Sequence, residues 1–84
     1  MHVRVRLFAS LRDAAGRSQA RLELAQGATA EAAWQALVAG HPALAPRRGS
    51  LGVAVNRDYA GFETVLQDNG EVAFIPLFGA TVTF

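Results

Sequence analysis

The fold is decided by residues 29–40, TAEAAWQALVAG, which carry the clearest helical pattern in the chain. Thr29 suits the N-cap position, and Glu31 falls in the first turn, where the helix dipole favours an anion. Gly40 and Pro42 together end the helix. The apolar positions share the spacing of one helix face: Ala30, Ala33, Trp34, Leu37 and Val38. We therefore predict one amphipathic helix that packs on an apolar surface, with Trp34 as a core anchor.

Segments with alternating apolar and polar residues flank this helix. Residues 3–8 and 19–24 precede it, and residues 51–55 and 71–75 follow it. A period of two is typical of half-buried strands. Residues 59–66 are irregular and leave room for a short edge strand. The order β-β-α-β-(β)-β predicts a two-layer α+β domain with a mixed sheet of four to five strands and the helix on one face.

Three local features complete this prediction. Ser10 to Asp13 fits a capping box that opens a short helical turn, which Gly16 closes. Residues 43–50 are expected to form a loop. Phe8 falls on the strand face opposite Val5 and Leu7. If Phe8 clusters with other apolar residues of uncertain place, namely Phe62, Leu77 and Phe78, the sequence predicts a partner-binding patch.

Composition limits the possible functions. The chain has 84 residues, no cysteine and a net charge of +1, so we expect one domain over residues 1–84 and no steering by nucleic acid or membranes. No apolar run has the length of a membrane span or the form of a signal peptide, and we expect a cytoplasmic protein. All eight basic residues are arginine, and only Arg47 and Arg48 are adjacent, so no arginine cluster for anions is evident.

Side chains for chemistry are sparse. The only histidines are His2 and His41, and neither belongs to a metal-binding motif, so no metal site is expected. The carboxylates are scattered, the glycines are spread out as turn residues, and no nucleophile or phosphate-loop motif is present. The residues alone favour a non-catalytic module that presents a surface.

Several segments, in order and spacing, resemble one family, the small subunit of molybdopterin synthase (MoaD family). The resemblance covers residues 3–76, and its fold is the ubiquitin-like β-grasp, with the last strand parallel to the first in the middle of the sheet. The matching segments are Val5-Arg6-Leu7-Phe8-Ala9, Leu11-Arg12-Asp13-Ala14-Ala15-Gly16, Gly27-Ala28-Thr29, Trp34 with Leu37, His41-Pro42-Ala43-Leu44, Val53-Ala54-Val55-Asn56 with Tyr59, Thr64, Leu66 and Asp68, and Glu71-Val72-Ala73-Phe74-Ile75-Pro76.

The resemblance implies a sulfur carrier. Such chains end in Gly-Gly, and a partner of the ubiquitin-activating type (MoeB-like) uses ATP to adenylate that end before sulfur converts it to a thiocarboxylate. The tail then enters the large synthase subunit (MoaE-like), so a hetero-oligomer is implied. The chain itself binds no cofactor and is a non-catalytic sulfur donor. The residues implied for partner binding are Phe8, Phe74, Pro76, Leu77 and Phe78.

The C-terminal segment, residues 77–84, departs from the family pattern. Gly79-Ala80 is the only approximation to the terminal Gly-Gly pair, and Thr81-Val82-Thr83-Phe84 follows it. Three alternatives stay open: trimming after Gly79 or Ala80, an altered tail that carries no sulfur, or a paralogue used as a ubiquitin-like interaction module. A thiamin-pathway carrier shares the fold and the Gly-Gly end, but the segments at residues 11–16 and 41–44 do not fit it.

Overall fold

A computed structural model gives the structure of the protein, and it describes residues 1–77. None of the helices in this range is long and apolar enough to cross a membrane. The elements are β1 (His2–Leu7), α1 (Ala9–Ala15), β2 (Gln19–Glu23), α2 (Ala30–Gly40), a 3₁₀ segment (Pro42–Ser50), β3 (Leu51–Val55), β4 (Asp58–Ala60) and β5 (Gly70–Pro76).

The five strands form one mixed sheet in the order β2-β1-β5-β3-β4. β1 and β5 are parallel, and the other neighbouring pairs are antiparallel. The predicted α+β class and the central place of the last strand are therefore confirmed. Parallel pairing puts the C-terminal end of β5 beside the C-terminal end of β1, so the chain leaves the sheet close to Phe8.

Helix α2 covers one face of the sheet, as its apolar stripe predicts. The Thr29 hydroxyl accepts a hydrogen bond from the Ala32 N–H at 3.3 Å, which confirms the N-cap. Trp34 is buried, and its ring meets the Phe74 ring edge-on at a centroid distance of 5.1 Å. Edge-to-face contact of this kind adds about 1 kcal/mol to the burial of the two rings.

Two local predictions were wrong. Helix α1 begins at Ala9, and its N-cap is Phe8, which makes no side-chain hydrogen bond, so Ser10 lies inside the helix and forms no capping box. The early start places Leu11 in the core, and Gly16 closes the helix in the left-handed conformation as predicted. Residues 43–50 lie in 3₁₀ turns rather than a loop, because burial of Leu44 holds that segment against the core.

An ion pair fastens the 3₁₀ segment to the start of α2. The Arg48 Nη2 donates to Glu31 Oε1 at 2.8 Å, and the guanidinium lies 3.3 Å from the centroid of the Phe62 ring. Hydrogen bonding from Arg48 lowers the pKa of Glu31 below its ordinary value of 4.5. Because the Glu31 side chain is 40% exposed, solvent screens the pair, and we expect it to contribute at most about 1 kcal/mol.

This pair predicts a pH-dependent stability. A lowered folded-state pKa means that the stabilisation is complete above the unfolded-state pKa and is lost as the pH falls through the folded-state value. Glu31→Gln should therefore lower the thermal midpoint at neutral pH, and the gap to the wild type should close below about pH 4. Glu23→Gln, at an exposed position on β2, is the control. A gap that stays constant across this range would contradict the assignment.

Candidate functional site: the helix-free face of the sheet

The two faces of the sheet differ in what covers them. Every buried residue of α1, α2 and the 3₁₀ segment belongs to the large cluster on one face, with Val3, Val5, Leu7, Val72 and Phe74 from the central strands. The opposite face, which we call the helix-free face, holds a separate cluster of Ala54, Ala73 and Ile75, and Phe8 packs against it. The alternation along β1 and β5 produces this division, since neighbouring residues point to opposite faces.

The register of the sheet builds an apolar patch on the helix-free face. Ala73 pairs with Ala54, and Ile75 pairs with Gly52. The absence of a side chain at Gly52 leaves room for Leu77, whose Cδ2 lies 2.9 Å from where a Cβ at Gly52 would be. Leu77 is 62% exposed. We define the apolar patch by these members: Phe8, Ala54, Ala73, Ile75 and Leu77.

A basic groove borders this patch on β1 and β2. The groove encloses about 360 Å³, and its lining includes Arg4, Arg6, Arg17 and Arg21 with Glu71 as the one acid. Arg4 stands directly opposite Arg21 in the β1–β2 register, an arrangement that like charges disfavour. The groove therefore attracts anionic groups, such as carboxylates on a protein surface.

Arg6 joins the patch to the groove. Its guanidinium lies 4.9 Å from the centroid of the Phe8 ring, and its Nε lies 3.9 Å from Glu71 Oε1. Arg57 Nε approaches the other oxygen of the same carboxylate at 3.7 Å. The Arg6 Nη1 is buried and has no hydrogen-bond partner within the described residues. Glu71 thus forms ion pairs with two arginines, Arg6 and Arg57. The groove lining still has a net positive charge, because it contains four arginines and one acid.

The structure brings together only some of the predicted site residues. Phe8 and Leu77 belong to the apolar patch, whereas Pro76, at the end of β5, lines a cavity with Ser10, Leu11 and Pro46 on the helix side. Phe74 is completely buried on the helix side, so its assignment to partner binding was wrong: even-numbered positions of β5 face α2. Phe62 stacks on Phe74 at 6.2 Å and does not join Phe8. Phe78, Gly79 and Ala80 lie outside the described residues.

The basic groove was missed because the sequence separates its members. Only Arg47 and Arg48 are adjacent along the chain, and Arg48 is occupied by Glu31. The available signal was the alternation of Arg4 and Arg6 on β1 with Arg21 on the predicted neighbouring strand. Within residues 1–77, no three histidine, aspartate, glutamate or cysteine side chains lie close enough to hold a metal ion.

Known proteins share this architecture along most of the chain. The ThiS family model matches residues 5–79. A molybdopterin synthase sulfur carrier subunit from Chlamydomonas reinhardtii is 35% identical over 78 residues, covering 90% of this chain and 94% of the relative. The family match, from residue 5 to residue 79, crosses the apolar patch and the end of β5.

Solved structures agree with the fold. Small archaeal modifier protein 1 from Haloferax volcanii superposes with a TM-score of 0.82 at 31% identity, covering 89% of this chain and 95% of its own. A complex of subunits 1 and 2 of molybdopterin-converting factor from Helicobacter pylori 26695 matches with a TM-score of 0.65 at 18% identity, covering 90% of this chain and 93% of the matched chain. The family match, the relative and the ubiquitin-like β-grasp together show that this chain belongs to the ThiS family of sulfur-carrier-like proteins.

Proposed function

We propose that this protein carries sulfur as a C-terminal thiocarboxylate and delivers it within a molybdopterin synthase. The observation that carries the proposal is the exit of the chain from the central strand β5 at Leu77, beside the apolar patch. A partner that docks on the patch would receive the C-terminal segment directly. The relative named as a molybdopterin synthase sulfur carrier subunit supports this choice of pathway.

The reaction needs a C-terminal carboxylate that can reach the active sites of other proteins. It needs no acid or base catalyst from this chain. The carboxylate oxygen attacks the α-phosphorus of ATP, which forms an acyl-adenylate and releases pyrophosphate. A sulfide donor then attacks the acyl carbon, and AMP leaves with the original carboxylate oxygen while one proton is released. The product is a thiocarboxylate, with no change in oxidation state when the donor supplies sulfur as sulfide.

The same reaction scheme requires a C-terminal residue with a small side chain. Glycine and alanine carry little or no side chain, so a terminus at Gly79 or Ala80 can enter a narrow channel, whereas Val82 and Phe84 are too bulky. We therefore propose that the chain is cut after Gly79 or Ala80 before it is loaded. Adenylation would come from an enzyme of the ubiquitin-activating type, and the acceptor would be the large synthase subunit, both in the cytoplasm.

The two parts of the candidate site have distinct roles in partner binding. The apolar patch supplies contact area through Leu77, which is 62% exposed, whereas Ala54, Ala73 and Ile75 are already buried within the chain. The basic groove would steer an acidic partner surface, which raises the rate of association more than the affinity. A large subunit from the same organism should therefore bind faster at low salt.

Intact-mass analysis tests the proposal. Chains ending at Gly79, Ala80 and Phe84 are incubated with ATP, a sulfide donor and the adenylating enzyme of the same organism. We expect the two shorter chains to gain the mass of one sulfur-for-oxygen exchange, only when ATP is present, and the chain ending at Phe84 to remain unchanged. An exchange in none of the chains, or an equal exchange in all three, would overturn the proposal.

The second candidate is a ubiquitin-like interaction module without covalent chemistry. The exposed Leu77 beside the buried patch favours this candidate as well, because a docking surface needs no sulfur. Such a module should bind the large subunit with the same affinity whether or not ATP, sulfide and the adenylating enzyme are present. Binding without any mass change in the trimmed chains would select the module over the carrier.

A further inference from the structure

Strand β2 has one side open for pairing. It lies at the end of the sheet, where β1 is its one neighbour among the described strands. Met1 and Leu24 exchange two hydrogen bonds, of 2.7 and 2.8 Å. Because bonded and non-bonded pairs alternate along an antiparallel ladder, the backbone N–H and C=O groups of Gln19, Arg21 and Glu23 point away from β1. Such an edge is a template for an added strand.

Positive charge lies along the helix-free side of this edge. Arg4 stands opposite Arg21, and Arg17 lines the same groove. A second groove of about 270 Å³ also touches Arg4 and Arg21 and extends to His2 and Asn69. The three arginines are exposed, and none of them pairs with a carboxylate within the described part of the chain. A carboxylate placed beside Arg21 would offset its repulsion from Arg4.

The helix side of β2 presents apolar side chains. Ala20 and Leu22 pack against the main core but are only half-buried. Because alternate side chains of a strand point to opposite faces, a strand added here would set one row of its side chains beside Arg21 and the other row beside Ala20 and Leu22. The edge therefore fits an extended segment in which acidic residues alternate with apolar residues.

The same charges disfavour a second copy of the protein at this edge. Two copies of β2, paired antiparallel about their centres, would set Arg21 against Arg21, with Arg4 of each copy alongside. Like charges directly opposite each other destabilise a sheet. The arginines thus protect the edge against self-association and leave it open to a partner of opposite charge.

We propose that β2 is a docking edge for an extended acidic segment of another protein, which adds to the sheet as a further strand. Its backbone bonds to the outward groups of β2, its carboxylates pair with Arg4 and Arg21, and its apolar side chains cover Ala20 and Leu22. β1 lies between this edge and β5, so the site is distinct from the chain exit at Leu77. The proposal is independent of sulfur transfer, and its failure would leave the proposed function untouched.

An NMR titration of ¹⁵N protein with a short synthetic peptide that alternates aspartate with valine tests the proposal. At saturation, the Arg21 amide should exchange with solvent roughly tenfold more slowly, because it gains a main-chain hydrogen bond. The amides of Ala20 and Leu22, which already donate to β1, should change little. A peptide that alternates lysine with valine should not bind. Binding of the acidic peptide without this alternation in exchange, or no binding, would overturn the proposal.

Two N-methylated peptides show whether backbone pairing carries the binding. One is methylated at every aspartate nitrogen and the other at every valine nitrogen, so their charge and composition are the same. Only alternate residues of an added strand direct their N–H groups to its neighbour. One of the two peptides should therefore lose binding: the first if the added strand is antiparallel to β2, and the second if it is parallel. Equal affinity of the two peptides would contradict strand addition.

Charge variants test the arginines. Arg21→Glu should raise the Kd of the acidic peptide roughly tenfold and allow the lysine peptide to bind. Arg12→Glu, the same change of charge at an exposed position on α1, should leave both affinities unaltered. Equal weakening by the two variants would indicate long-range attraction without a docking edge. Single-stranded DNA is the competing polyanion, and DNA binding as tight as that of the acidic peptide would reassign the grooves to nucleic acid and overturn the proposal.

Discussion

Replacing Phe74 with alanine is expected to lower the free energy of unfolding by about 3–5 kcal/mol. Phe74 is fully buried in the central strand, and its ring contacts those of Trp34 and Phe62. The sheet and α2 hold these neighbours in place, so the cavity left by the ring cannot collapse. Urea unfolding followed by circular dichroism and by the fluorescence of the single tryptophan measures the change. A loss of this size removes a large share of the stability of a typical small domain.

Phe74→Leu is the matched control, because it keeps most of the apolar volume. We expect it to cost less than about 1.5 kcal/mol. Under conditions in which both variants stay folded, neither substitution should change the affinity for a large subunit. If the alanine variant were as stable as the wild type but bound the large subunit more weakly, Phe74 would belong to the docking surface.

Leu77→Asp is expected to have the opposite profile, with weakened partner binding and unchanged stability. Under the proposed function, Leu77 enters the interface together with the apolar patch, and the substitution replaces apolar contact area with a carboxylate. Because full burial of a leucine side chain gains about 2 kcal/mol, we expect at least a tenfold rise in Kd. The measurement is calorimetric titration of the large subunit with the chain ending at Ala80.

Val65→Asp is the matched control for this variant. Val65 is 57% exposed, close to the 62% of Leu77, but it lies between β4 and β5 in the loop that bridges to Thr29. The same change of charge and similar loss of apolar area should leave Kd unaltered there. Equal weakening by both variants would indicate a nonspecific effect of charge, and the apolar patch would lose its assignment.

The sequence predicts the elements of this domain better than it predicts how they are placed. The stripe around Trp34 and the alternation in β1 and β5 depend on burial along one element, and the structure confirms them. The start of α1 was misplaced because burial of Leu11 outweighs the local capping preference of Ser10. The 3₁₀ segment was missed because its anchor, Leu44, is a single buried residue without a periodic pattern.

The candidate site depended on information that no single segment contains. The alternation along β1 correctly placed Phe8 on the face opposite Leu7. Phe74 was misassigned because its neighbours in the chain, Pro76 and Leu77, lie near the chain exit while its own side chain points to α2. The basic groove needed the β1–β2 register, which sets Arg4 opposite Arg21 and follows from pairing between distant segments.

The parallel pairing of β1 with β5 has a consequence for how the protein is made. The strand at the middle of the sheet is the last of the five described strands in chain order, and its partner β1 is the first of them. Non-local pairing of this kind closes late and folds slowly. A nascent chain that stops before Gly70 lacks the strand that joins the two halves of the sheet, so the core is completed only after nearly all of the domain has emerged from the exit tunnel.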